Sequence, residues 1–210
     1  KLAHRRKWIR WTASVGVAAA LVMGAMWWVS LYKVRATLYR GDTAKWVGED
    51  PPSELRSGSQ LKLASGLAEI HFGNGAEIIL EGPAEFEIRS HRKAWLKRGK
   101  ITARVPERAI GFTLETPKGK VIDLGTSFGT NVTDNGETET QVFEGKVRVH
   151  PDGKGSGMVI HENEKLALGD QGAVKSTGVA DSGFVTSLPP RWEDDISYIH
   201  WPMDEGSGLE

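Results

Sequence analysis

The sequence predicts an all-β domain, antiparallel and sandwich- or solenoid-like, preceded by a single transmembrane α-helix. Three observations predict it. The stretch from Trp11 to Tyr32 carries no charge. From about Ser59 apolar residues recur at every second position, the period of a strand with one face in a core. Short turn signals divide these alternating runs.

Five basic residues come first: Lys1, Arg5, Arg6, Lys7 and Arg10. Residues 1–10 read as a basic cytoplasmic flank. The segment 11–32 would span roughly 30 Å as a helix, the thickness of a hydrocarbon core. Trp8 and Trp11 mark one border and Trp27, Trp28 and Tyr32 the other, an interfacial aromatic belt. Bulky Trp27 and Trp28 stand where a signal peptidase would need small residues, so a retained anchor is expected. Only Lys33, Arg35 and Arg40 follow closely, and this charge bias sets the N-terminus in the cytoplasm and the remainder outside it. Gly16, Ala20 and Gly24 lie four apart, a spacing that permits close helix packing and a homodimer through the membrane segment.

Residues 33–58 read as a juxtamembrane linker and 59–175 as the β domain. Ala68, Ile70 and Phe72 alternate with Glu69 and His71. Ala84, Phe86 and Ile88 alternate with Glu85, Glu87 and Arg89. Ile101, Ala103 and Val105 alternate with Thr102 and Arg104, and Val147 and Val149 with Lys146 and Arg148. Asn74-Gly75, Gly82-Pro83, Arg98-Gly99, Pro117-Lys118-Gly119, Asn135-Gly136, Asp152-Gly153 and Gly169-Asp170 separate the runs. Met158 to His161 and Lys165 to Leu168 are further strand candidates. No helical period stands out between Ser59 and Val174. Residues 176–195 read as a linker stiffened by Pro189-Pro190.

Composition excludes several chemistries. The chain has 210 residues, a net charge of +0 and no cysteine, which removes disulfides, zinc–thiolate sites and thiol nucleophiles. With no net field toward polyanions, nucleic acid is not an expected partner. His161-Glu162-Asn163-Glu164 reads as a polar turn rather than a metal site. Glu81, Glu85, Glu87 and Glu144 alternate with apolar residues and read as a solvated face rather than a catalytic carboxylate pair. His91, Arg92, Lys93, Lys97, Arg98 and Lys100, with Trp95 among them, read as a charge-protected hairpin edge rather than a site for nucleic acid or lipid headgroups. No catalytic residue, cofactor or metal is expected, and the chain does not read as an enzyme.

One family resemblance stands out. Asn74-Gly75-Ala76-Glu77-Ile78-Ile79-Leu80-Glu81-Gly82-Pro83-Ala84-Glu85-Phe86 resembles the central hairpins of FecR-type periplasmic domains, as does Leu96-Lys97-Arg98-Gly99-Lys100-Ile101. So do Gly111 to Pro117, Val121-Ile122-Asp123-Leu124-Gly125-Thr126-Ser127-Phe128 and Val142-Phe143-Glu144-Gly145-Lys146-Val147. The signature positions Gly82, Pro83, Gly99, Pro117, Asp123, Gly125, Thr126, Phe128 and Gly145 read as structural: bends, caps and a core re-entry. The resemblance implies a single-pass regulator of the bacterial inner membrane. Such a protein relays a signal to an extracytoplasmic-function sigma factor, with an outer-membrane or periplasmic protein as the sensed partner. The flank 1–10 is short for a sigma-binding module, and both ends of the chain are expected to be cut points in a longer protein.

Ile196 to Gly208 resembles the opening strand of a laminin-G-like, concanavalin-type jelly roll, so 196–210 reads as the truncated start of a second domain. The competing expectations are therefore a surface-anchored adhesion or carbohydrate-binding protein, using the β domain as a platform, and an anchored hydrolase whose catalytic part lies beyond Glu210.

Overall fold

The computed structural model describes residues 22–23, 33–41, 43–152, 157–170, 172–177 and 183–187. The basic flank, the belt residues Trp8, Trp11, Trp27, Trp28 and Tyr32, the Gly16/Ala20/Gly24 face and the 196–210 segment all lie outside the described residues. Within 11–32 only Val22 and Met23 are described; both are helical and exposed. Among the described residues no helix is long and apolar enough to cross a membrane.

Among the described residues there are fifteen strands, most of them with burial alternating from one residue to the next. In chain order they are β1 (Val34–Arg40), β2 (Lys45–Trp46), β3 (Glu54–Arg56), β4 (Gln60–Ser65), β5 (Leu67–Phe72), β6 (Glu77–Ser90), β7 (Lys93–Arg104), β8 (Thr113–Thr116), β9 (Gly119–Asp123), β10 (Ser127–Val132), β11 (Thr138–Glu144), β12 (Lys146–Pro151), β13 (Met158–His161), β14 (Glu164–Gly169) and β15 (Gly172–Thr177). A single 3₁₀ turn, Glu107–Ala109, lies between β7 and β8.

All strands share one hydrogen-bonded network, and the long β6–β7 hairpin bends it into two facing layers. Glu81 faces Lys100 and Glu85 faces Arg98, so β6 spends residues 82–84 where β7 spends only Gly99. Beyond this corner the halves of the hairpin go to different layers. The first layer runs β2-β4-β6-β7-β8-β9-β12-β13, using Ala84–Ser90 of β6 and the start of β7. The second runs β3-β1-β5-β6-β7-β10-β11-β14-β15, using Glu77–Glu81 of β6 and Gly99–Arg104 of β7. The chain changes layer after each of the first four strands and then after every second strand from β9 on, at Gly66, Gly125, Gly145 and Asn163 among other places. Side chains from both layers meet in one core that includes Phe86, Phe112, Phe128, Ile70, Ile78 and Leu96. Phe72 of the second layer meets Phe112 beside the first edge-on, with centroids 4.9 Å apart. Thr138 donates to Thr116 across the layers at 3.2 Å.

Three expectations need correction. Residues 33–58 are not a linker: they supply β1, β2 and β3, with Ala36, Leu38 and Leu55 in the core. β2 and β3 are only two and three residues long and are separated by Gly48 and Pro51-Pro52, which hides their period. The sheet is not wholly antiparallel, since Lys93–Trp95 of β7 pairs parallel with Thr113–Glu115 of β8. Residues 176–195 are not all linker, because β15 runs to Thr177 and Gly183–Ser187 lies against the second layer, with Phe184 beside Gly129.

Candidate functional site

Most of the signature residues build the two corners where layers exchange strands. At the first, the Gly82-Pro83 peptide is cis. Gly99 has φ +102°, and a Cβ there would stand 2.5 Å from the Ala84 Cβ and 2.6 Å from the Pro83 carbonyl oxygen. At the second, Asp123 is fully buried. Its carboxylate accepts the Gly125 N–H at 2.9 Å and the Thr126 hydroxyl. Burial raises the Asp123 carboxyl above its ordinary 3.8, against the hydrogen bonds from Thr126, Gly125 and Gly111 that pull it down. Gly145, at φ +82°, packs on that same bend: a Cβ there would stand 2.5 Å from the Gly125 oxygen. Phe128 then enters the core fully buried. Pro117 caps the β8–β9 turn and lies beside Gly136 of the other layer. The structure thus brings Asp123, Gly125, Thr126 and Gly145 together, and separately Gly82, Pro83 and Gly99. Each group serves the backbone, and neither leaves a reactive side chain open to a substrate.

The charged residues fall on outer faces as counter-ions. Glu85 accepts from Lys97 at 2.8 Å and from Arg98 at 3.0 Å, and Arg98 also reaches Asp134 at 3.3 Å. Arg89 pairs with Glu87 at 3.0 Å and lies over the Trp95 ring. Lys93 pairs with Glu115, and Lys100 stands 3.9 Å from Glu81. The basic run 91–100 is therefore largely matched by carboxylates on its own and neighbouring strands. In the β13–β14 turn Glu164 accepts the His161 N–H and pairs with Lys175, both at 2.7 Å. Among the described residues no group of three or more His, Asp or Glu is placed to hold a metal ion.

The bond from Lys97, then that from Arg98, holds the Glu85 carboxyl below its ordinary 4.5. A lowered carboxyl stabilises the fold above its unfolded value and loses that contribution as pH falls through the folded value. Glu85→Gln is expected to cost under about 1 kcal/mol at neutral pH, as exposed pairs do, with the difference vanishing in acid. Urea unfolding of both proteins at neutral and acid pH checks this.

Two features remain open to a macromolecule. The first is strand edge. Among the described residues β15 pairs only with β14 and β13 only with β12, so each presents a row of backbone donors and acceptors. Val174 on β15 is 67% exposed. At the opposite end the edges are β2 and β3, of two and three residues. The usable edges therefore gather at the β13/β15 end. β15 escapes a reading by periodicity because nearly all of it faces solvent; its one signal is the Gly169-Asp170 turn before it. The second is a shallow groove lined by Glu77, Arg104, Pro106, Glu107 and Arg108, whose Arg108 guanidinium lies against the Gly75 turn. It holds charge of both signs and offers no enclosed pocket.

Comparison with known proteins agrees with this geometry. Residues 56–148 match the model of the FecR protein family. Two crystal structures of a candidate anti-sigma factor from Parabacteroides distasonis resemble the chain. One has 20% identity and a TM-score of 0.50, the other 19% and 0.49; each covers 58% of this chain. The match spans 61% of the length of those proteins, less than two thirds. At this identity the likeness is one of fold. No curated protein matches the chain. The matched region runs from β3 into β12 and takes in both glycine corners, the Asp123 bend and the shared hairpin, so this chain carries a FecR-type domain.

Proposed function

We propose that this chain is a single-pass inner-membrane regulator. Its FecR-type domain stands outside the cytoplasm and binds a protein partner at the β13/β15 edges. The bound state is passed through the helix 11–32 to an extracytoplasmic-function sigma factor inside. The FecR match over residues 56–148 carries this reading. The resemblance in fold to a candidate anti-sigma factor is consistent with it. The basic flank and aromatic belt of the sequence support the topology. Strand addition at an open edge supplies the recognition mode, main-chain bonds giving affinity and alternate side chains giving specificity.

The test is genetic and direct. Deleting the gene is expected to change transcription from a set of promoters that share one extracytoplasmic-function sigma factor. Restoring the chain with Ala173→Pro, whose N–H faces away from β14 and whose loss therefore blocks strand addition at β15, is expected to leave the protein in the membrane yet uncouple it from the stimulus. An unchanged transcript profile would overturn the relay. Glycan binding by the full chain with that unchanged profile would favour surface adhesion instead, the reading suggested by residues 196–208. Alkaline phosphatase fused after Ser187 is expected to be active, as an extracytoplasmic reporter must be, and an inactive fusion would overturn the topology.

A further inference from the structure

The outer face of the second layer should meet water, yet its centre is dry. Gly129 on β10 is buried, Gln141 opposite it on β11 is 3% exposed, and Thr102 beside it on β7 is 6% exposed. What covers this spot is the chain's own segment 183–187. A Cβ on Gly129 would stand 2.8 Å from Phe184 Cδ1 and 2.9 Å from Phe143 Cζ, so the missing side chain leaves the recess that the Phe184 ring fills. Phe143 meets Phe184 edge-on, with centroids 5.8 Å apart and planes at 67°. Lys100 Nζ donates to the Gly183 carbonyl at 3.3 Å. Both β11 and β14 separate β10 from β15, so the chain doubles back over the sheet to make this contact.

The contact is narrow. The Phe184 ring, the half-buried Val185 and one hydrogen bond hold a segment whose Gly183, Thr186 and Ser187 are exposed. Segments held by so few contacts open locally while the rest of a domain stays folded. We propose that the recess over Gly129, walled by Phe143 and Lys100, is a receptor site for an extended, phenylalanine-bearing segment of a protein partner. Gly183–Ser187 is its tethered occupant, displaced when the partner binds. The chemistry selected is a carbonyl for Lys100 followed directly by an aromatic ring for the recess. The proposal stands whether or not a sigma factor is the downstream target.

The full chain with Phe184→Ala empties the recess without touching the sheet. A fluorescent peptide of residues 181–188 is the probe. Its anisotropy is expected to rise saturably with the F184A chain, with an apparent Kd at least tenfold below that for the wild-type chain. The same peptide with alanine for phenylalanine should not bind, and neither Gly129→Ala nor Lys100→Met in the F184A background should retain full affinity. Circular dichroism and melting of every variant report whether the fold is kept; the K100M variant keeps the test informative if G129A does not fold. A folded F184A chain that ignores the peptide, or takes the alanine version equally, overturns the proposal. So does a wild-type dimer that F184A dissolves, because the occupant would then be the strap of a second copy.

Discussion

Gly99→Ala is expected to destabilise the domain by about 3 kcal/mol or more. A left-handed backbone costs an alanine roughly 1–2 kcal/mol, and forcing atoms into a packed site adds about 1–3 kcal/mol. At φ +102° the new methyl would press on the Ala84 Cβ and the Pro83 oxygen, atoms of the partner strand's own bend. Neither can yield without moving the corner. Gly58→Ala is the matched control: φ is +88°, but nothing lies within 4 Å of its Cβ position, so only the backbone cost of roughly 1–2 kcal/mol applies. Urea unfolding followed by circular dichroism and tryptophan fluorescence measures both. Equal losses in the two variants would show that crowding at the hairpin corner contributes nothing.

Asp123→Ala is expected to cost about 3–5 kcal/mol, since each buried donor left without a partner costs roughly 1–3 kcal/mol. The substitution strands the Gly125 N–H and the Thr126 hydroxyl at the bend between the layers. Asp123→Asn keeps one acceptor oxygen and should lose about half as much. The pH dependence follows from burial, which raises the folded carboxyl above its ordinary 3.8. The contribution of that protonation equilibrium is complete below the ordinary value and is lost as pH rises through the folded one. The gap between wild type and Asp123→Asn should therefore narrow as pH rises across that window. Denaturant midpoints over a pH series test this, and a gap that widens instead would mean that the hydrogen bonds outweigh desolvation.

Strands flanked by water on one side and core on the other were readable from their residues. β5, β6, β7 and β12 show the alternation plainly, and Asn74-Gly75 marks the turn that joins β5 to β6. The layer to which each strand belongs was not readable, because period two is the same in either layer and for either strand direction. That is why the parallel β7–β8 pair was missed. β1 and β3 were missed because their inward residues are few, and β15 because almost nothing on it is buried. At the signature bend, Asp123 and Thr126 were legible as capping side chains, since a short oxygen-bearing residue beside glycine has few other uses. The contact of Phe184 with Gly129 was not, because one aromatic in a polar run carries no period at all. The charge matching around Glu85 depends on cross-strand register, which the run of basic residues alone does not reveal.

A hairpin common to both layers joins them through two unbroken strands. A load applied to one layer near that corner is therefore carried into the other by the backbones of β6 and β7 themselves, and not by side-chain packing alone.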